Sequence, residues 1–154
     1  MESKYVFNSY LTCLIHPYVS SCNREFPAIN IYVTGSSGSF ISAWLLAGID
    51  LPDNVKVEVI YLKKDGENTH YDQKDRITIS RNDDFNIIVD DFICTGETIQ
   101  RILDDISEKG IHTVDLLLVS GGVDPDQIPV DRFGKIICCK IVELHKNTIV
   151  QIQS

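Results

Sequence analysis

Asp90 and Asp91 stand side by side at the end of a short apolar run, Asn86 to Val89, and Thr95-Gly96-Glu97-Thr98 follow after three residues. The apolar run has the character of a buried parallel strand, and the threonine-glycine stretch opens a helix. Two carboxylates at a strand end can hold vicinal ribose hydroxyls or a divalent cation. Thr95, Thr98 and the backbone N–H groups around Gly96 can cradle a phosphate about one ribose length away. A second stretch, Gly35-Ser36-Ser37-Gly38-Ser39, joins a strand to the start of a helix. Free N–H groups, the positive helix end and small hydroxyl side chains can wrap an anion there, or the loop is a tight turn with serine caps. It lacks the Gly-Lys-Ser/Thr ending of a Walker loop, the G-x-G-x-x-G dinucleotide pattern and the G-x-S-x-G elbow.

A purely structural reading exists for the aspartate-bearing stretch too. The aspartates would be solvated and the threonines helix caps. Adjacent acids at a strand end also suit a magnesium-dependent phosphatase or a receiver-domain pocket, but those leave Thr95-Gly96-Glu97-Thr98 unexplained.

The elements that must position these groups alternate along the chain. Apolar residues at steps of four (Val6, Tyr10, Leu14, Tyr18), with Phe7, Leu11 and Ile15 beside them, predict a helix over 5–18. Strands are expected at Ala28 to Thr34, Val55 to Leu62, Asn86 to Val89, Thr113 to Val119 and Lys135 to Val142, with a last edge at Ile149 to Ile152. Phe40 to Ile49 reads as a buried helix. A second follows Thr98, with Ile99, Ile102, Leu103 and Ile106 on one face, Lys109 in its last turn and Gly110 at C′. Lys63 to Asp75 is polar apart from Tyr71 and reads as a long mobile loop. Ile77 and Ile79 mark a short returning strand, Asn82-Asp83-Asp84 a turn, and Ser120 to Asp131 a loop or broken turn. The expected fold is α/β: an open, mostly parallel twisted sheet flanked by helices, as one domain over residues 1–154.

Composition narrows the function. The chain of 154 residues is 44% hydrophobic and 23% charged, which suits a folded domain and excludes disorder, collagen and coiled coil. Its net charge of −8 repels a phosphate backbone, so nucleic acid is not the expected partner. No apolar run approaches the roughly 18 residues of a membrane span, and Met1-Glu2-Ser3-Lys4 leads into no signal-peptide core, so a cytoplasmic protein without membrane contact is expected. The five cysteines (Cys13, Cys22, Cys94, Cys138, Cys139) form no C-x-x-C pair and read as reduced core filler. His16, His70, His112 and His145 have no metal-ligand spacing.

The run Ile87-Ile88-Val89-Asp90-Asp91-Phe92-Ile93-Cys94-Thr95-Gly96-Glu97-Thr98 resembles the phosphoribosyl-pyrophosphate signature of type I phosphoribosyltransferases. Gly38-Ser39-Phe40-Ile41, Ala43, Leu45-Leu46 and Ile49-Asp50 are similar to a stretch of the hypoxanthine-guanine members, and Val57 to Lys63 resembles the strand leading into their flexible loop. The likeness spans roughly residues 30 to 119 in one register. It implies that Asp90 and Asp91 face the ribose hydroxyls, that Cys94, Thr95, Gly96, Glu97 and Thr98 enclose the 5′-phosphate, and that Ser36, Ser37, Gly38 and Ser39 hold pyrophosphate. Lys63 to Asp75 becomes a lid, with Lys63 and Lys64 at its root and His70 within it as contacts for the leaving group, or as solvated surface. A base would enter near Phe92, Ile93 and the 120–134 loop, with Phe133 stacking on it or serving as core.

The implied reaction moves 5-phosphoribose from phosphoribosyl pyrophosphate to a nitrogenous base, hypoxanthine-type by resemblance, and releases pyrophosphate, as in purine salvage. Mg²⁺ carried mainly by the donor, with Asp90 and Asp91 near it, is the implied cofactor, and a homodimer the implied assembly. The departures are specific. Where the hypoxanthine-guanine enzymes place an aspartate base, this chain has Cys94, although orotate and adenine enzymes also have a small residue there. A pyrophosphate-loop lysine aligns with Ser37, the lysine reading the purine 6-oxo group with Ser120, and a lid Ser-Tyr pair with Lys64-Asp65. These losses motivate the alternative, a sensor on the same fold that binds the donor or a nucleotide without turnover.

Overall fold

The computed structural model describes residues 2–34, 49–62, 81, 83–90, 96–141 and 149–151. Chain order is α1 (Glu2–Ser21), β1 (Ala28–Thr34), β2 (Lys56–Leu62), β3 (Phe85–Asp90), α2 (Glu97–Glu108), β4 (Val114–Val123), β5 (Phe133–Ile141) and β6 (Ile149–Gln151). Short 3₁₀ turns at Pro125–Gln127 and Val130–Arg132 link β4 to β5. The strands form one sheet in the order β2-β1-β3-β4-β5-β6, and all five pairings are parallel. The α/β open parallel sheet expected from the alternating pattern is therefore present. The expected helix at 40–49, the returning strand at 77–79 and the lid at 63–75 lie outside the described residues, apart from Ile49.

Strand alternation divides the core into two layers. Ile29, Ile31 and Val33 of β1 and Phe85, Ile87 and Val89 of β3 join Leu116 and Leu118 on the face that receives Leu14, Ile15, Tyr18 and Val19 of α1. Tyr32, Ile88, Leu117, Val119 and Ile136 point the other way, onto Ile99, Ile102, Leu103 and Ile106 of α2. All four of those α2 residues are fully buried, so the helix is held by one apolar stripe. Its end is a Schellman motif. Gly110 takes φ +90°, its N–H donates to the Ser107 carbonyl at 3.0 Å, and the Ile111 N–H reaches the Ile106 carbonyl at 3.0 Å.

Three expectations need correction. β4 does not stop at Val119: it runs on to Val123 through a register shift between Val119 and Gly122, because Val123 is buried and Gly122 and Val123 pair with Lys140 and Ile141. Cys13 is exposed and Cys22 half-buried, so of the described cysteine side chains only Cys138 is core filler. α1 extends past both expected ends and carries Pro17 inside it.

The amino ends of the strands are tied by a buried polar network. Asn86 uses its whole amide. Nδ2 donates to the Arg81 and Asp84 carbonyls, both at 3.1 Å, and Oδ1 accepts from Asn30 Nδ2 at 3.1 Å and Tyr32 OH at 3.2 Å. Asp84 faces the Arg24 guanidinium at 2.5 Å, and Arg24 also donates to Tyr18 OH at 2.7 Å, which docks the end of α1 on β1. The β3–β4 ladder begins at Ile87 and Leu116, so the Asn86 N–H, one step earlier, takes the Asp115 carboxylate at 2.8 Å instead.

Burial pushes the Asp115 carboxyl above its ordinary value, against the lowering effect of backbone hydrogen bonds. A raised folded-state value means a contribution to stability that is complete below the ordinary 3.8 and lost as pH rises through the folded value. Asp115→Asn, which keeps an acceptor oxygen, is expected to be more stable than the wild type in urea at pH 7, and the gain should vanish below the ordinary carboxylate range. Asp115→Ala leaves the Asn86 N–H without its acceptor and should cost about 1–2 kcal/mol at pH 7.

Candidate functional site

The strand order sets where a ligand can enter. From β1 the chain goes on to β2 on one side, whereas β3 lies on the other side of β1 and leads through α2 to β4. The carboxyl ends of β1 and β3 are thus the point where the winding reverses, and open parallel sheets bind their ligands in the crevice at such a point. The two stretches singled out by residue type continue from these two strand ends: Gly35 follows Thr34, and Asp91 follows Asp90.

Asp90 is the last residue of β3, 4% exposed, and pairs in register with Val119 of β4. With Val89 and Ile87 in the α1 layer and Ile88 in the α2 layer, Asp90 falls on the α2 face. Thr34 ends β1 on the same face, one step beyond the Val33–Val89 pairing, and is 1% exposed. The carboxyl edge of this face therefore carries two buried polar side chains on neighbouring strands. Its amino edge carries the satisfied Asn30 and Asn86.

α2 opens at the same edge. Gly96, its N-cap, is buried with φ 78° and ψ 0°, and as a glycine it offers no side chain of its own to cap the first turn. A Cβ at Gly96 would lie 1.9 Å from the Gln127 carbonyl oxygen, so the 3₁₀ turn at Pro125–Gln127 presses on the start of the helix. That turn is itself fixed by Asp124, whose side chain accepts from the Asp126 N–H at 3.0 Å. Thr98 is half-buried in the first turn, and Glu97 is exposed there, where an acid complements the helix dipole. First-turn N–H groups have no intrahelical acceptors, which makes this end a donor surface for an anion.

The structure brings Asp90, Gly96 and Thr98 to one edge of the sheet. Phe133 goes elsewhere. It opens β5 opposite Val114, at the amino end of the strands, and is 5% exposed within the α2-side core, so of the two expectations for it base stacking falls and core packing holds. Ser36, Ser37, Gly38, Ser39, Lys63, Lys64, His70, Asp91, Phe92, Ile93, Cys94 and Thr95 lie outside the described residues. Thr34 and the Gln127 backbone are the two site features that residue patterns missed. A depression lined by Arg24, Phe26, Lys56, Arg81 and Asp84 is on the opposite, amino edge.

Among the described residues no group of three or more His, Cys, Asp or Glu side chains could hold a metal ion. Compared with known proteins, the chain matches no protein-family model and no curated protein. Among the described residues no helix is long and apolar enough to cross a membrane.

Proposed function

We propose that this chain is a phosphoribosyltransferase, passing 5-phosphoribose from phosphoribosyl pyrophosphate to a ring nitrogen of a nucleobase, with a 6-oxopurine favoured. The observation that carries the reading is the convergence at the β1/β3 reversal point. A buried carboxylate and a glycine-started helix N-terminus, separated in sequence by one short segment, meet at the edge where such sheets bind ligands. Asp90 and Asp91 orient the two ribose hydroxyls, and the first turn of α2 with Thr95 and Thr98 holds the 5′-phosphate. Ser36 to Ser39 face the pyrophosphate that departs as the C1–O bond breaks and the bond to the base nitrogen forms.

Positive charge grows on the sugar and negative charge on the leaving group, so the residues act by positioning and by charge stabilisation. A Mg²⁺ bound through the donor would neutralise part of the pyrophosphate charge. Lys63 and Lys64 are assigned to the leaving group, and the segment they open to exclusion of water from the activated sugar. A cytoplasmic homodimer in nucleotide salvage completes the proposal.

The binding half of the reading is tested by thermal unfolding with phosphoribosyl pyrophosphate and Mg²⁺. At a hundredfold excess over Kd the donor should stabilise the protein by about 2.7 kcal/mol, a rise of roughly 5–10 °C. No rise at millimolar donor contradicts it. In the same assay Thr98→Val should weaken donor binding by about 1–3 kcal/mol through lost phosphate hydrogen bonding, without lowering the midpoint of the free protein.

A further inference from the structure

The Thr34 hydroxyl is a second, unused polar group in the crevice. Its Oγ1 is buried and makes no hydrogen bond, and the residue is 1% exposed. The buried Asn86 amide at the other edge of the same face has every valence satisfied. Buried hydroxyls without partners are rare in folded proteins, because each loses its water bonds and gains nothing in return. A valine of the same shape would fill the position, continue the β-branched run and carry no such penalty.

Thr34 and Asp90 occupy neighbouring parallel strands at the same level and on the same face, so their Cβ atoms stand about one strand spacing, roughly 4.8 Å, apart. A single ligand oxygen fits between side chains at that separation. A carboxylate only accepts, whereas a threonine hydroxyl both donates and accepts. An alcohol satisfies both at once: its O–H donates to the Asp90 carboxylate and its lone pair accepts from the Thr34 O–H. A phosphate oxygen, having no proton, would be repelled by Asp90, and a ring carbon would leave the Thr34 hydroxyl unpaired.

We propose that Thr34 is a binding residue that, together with Asp90, recognises a hydroxyl of the ribose ring. The assignment rests on the phosphoribosyl reading of the site. It makes the β1 end a determinant of sugar recognition, separate from the phosphate cradle at α2.

The test compares wild type, Thr34→Val and Thr34→Ser by thermal unfolding and by calorimetric titration with ribose 5-phosphate, using inorganic phosphate as the ligand that fills the cradle without offering a sugar hydroxyl. Thr34→Val should unfold higher than wild type, by roughly 2–4 °C, because the orphan is gone. It should bind ribose 5-phosphate about 5- to 10-fold more weakly and inorganic phosphate unchanged. Thr34→Ser should retain most of the ribose 5-phosphate affinity. Ribose 5-phosphate binding to Thr34→Val with wild-type affinity overturns the role of Thr34 and leaves the phosphoribosyl reading standing. A lower midpoint for Thr34→Val shows that the hydroxyl is already satisfied in the free protein and also overturns it. Failure of the wild type to bind ribose 5-phosphate at all overturns both.

Discussion

Replacing Asp90 and Asp91 together by asparagine will abolish binding of phosphoribosyl pyrophosphate while leaving the protein folded. Asparagine has nearly the same shape as aspartate and keeps one acceptor oxygen, so packing at the 4%-exposed Asp90 position survives. What disappears is the charge. A neutral amide accepts a sugar hydroxyl roughly half as strongly as a carboxylate, and it offers nothing to a cation carried by the donor. Its NH₂ group also competes as a donor where the ligand needs an acceptor. Two such losses, at about 1.5–3 kcal/mol each for hydrogen bonds to charged groups, add up to roughly a hundredfold or more in affinity. Calorimetric titration with the donor and Mg²⁺ reads this directly. Unchanged affinity in the double variant places the ligand elsewhere.

Gly96→Ala is expected to produce the largest loss of stability of any single methyl addition among the described glycines. The residue type alone suggests a glycine that lets backbone approach a phosphate. The structure adds a second demand, because the position is left-handed at φ 78° and its missing Cβ would stand 1.9 Å from the Gln127 carbonyl oxygen. An L-residue in that conformation costs about 1–2 kcal/mol, and forcing a closely packed backbone apart about 1–3 more. The total, about 3 kcal/mol, should appear as a lower urea midpoint with an unchanged slope. Gly110→Ala is the control. Gly110 is also left-handed, at φ 90°, but a Cβ there meets no atom within 4 Å. It should cost only about 1 kcal/mol, so the difference between the two variants isolates the Gln127 contact. Equal losses would show that the turn at Pro125–Gln127 yields freely. No loss at Gly96 with reduced donor affinity would make its role purely one of ligand approach.

The parts of the fold legible in sequence were those written in local periodicity. β1, β3 and α2 announce themselves through β-branched runs and through Ile99, Ile102, Leu103 and Ile106, whose spacing needs no knowledge of the partner surface. Asp90 and the opening of α2 were legible for the same reason, since the acids and the Thr-Gly pair lie within one strand–helix unit. The extension of β4 was hidden because Ser120-Gly121-Gly122 has turn composition, and only pairing with β5 makes it strand. The amino-end network was hidden because the hydrogen bonds of Asn86 to Asn30 and Tyr32 cross more than fifty positions of sequence. Phe133 was undecided between base contact and core, since an aromatic in a glycine- and proline-rich neighbourhood suits either, and only its place at the start of β5 assigns it to the core. Thr34 ended an ordinary strand pattern. Its importance comes from a missing hydrogen bond and from the neighbour that parallel pairing supplies, neither of which has a local signature.

The most direct test of the central claim is pyrophosphate release from phosphoribosyl pyrophosphate with Mg²⁺, across a panel of purine and pyrimidine bases, with the Asp90→Asn, Asp91→Asn double variant as the blank. The account predicts release by the wild type with a 6-oxopurine and none by the double variant. No release with any base, from a protein that the donor nonetheless stabilises against heat, would contradict transfer and make the chain a sensor of its ligand instead.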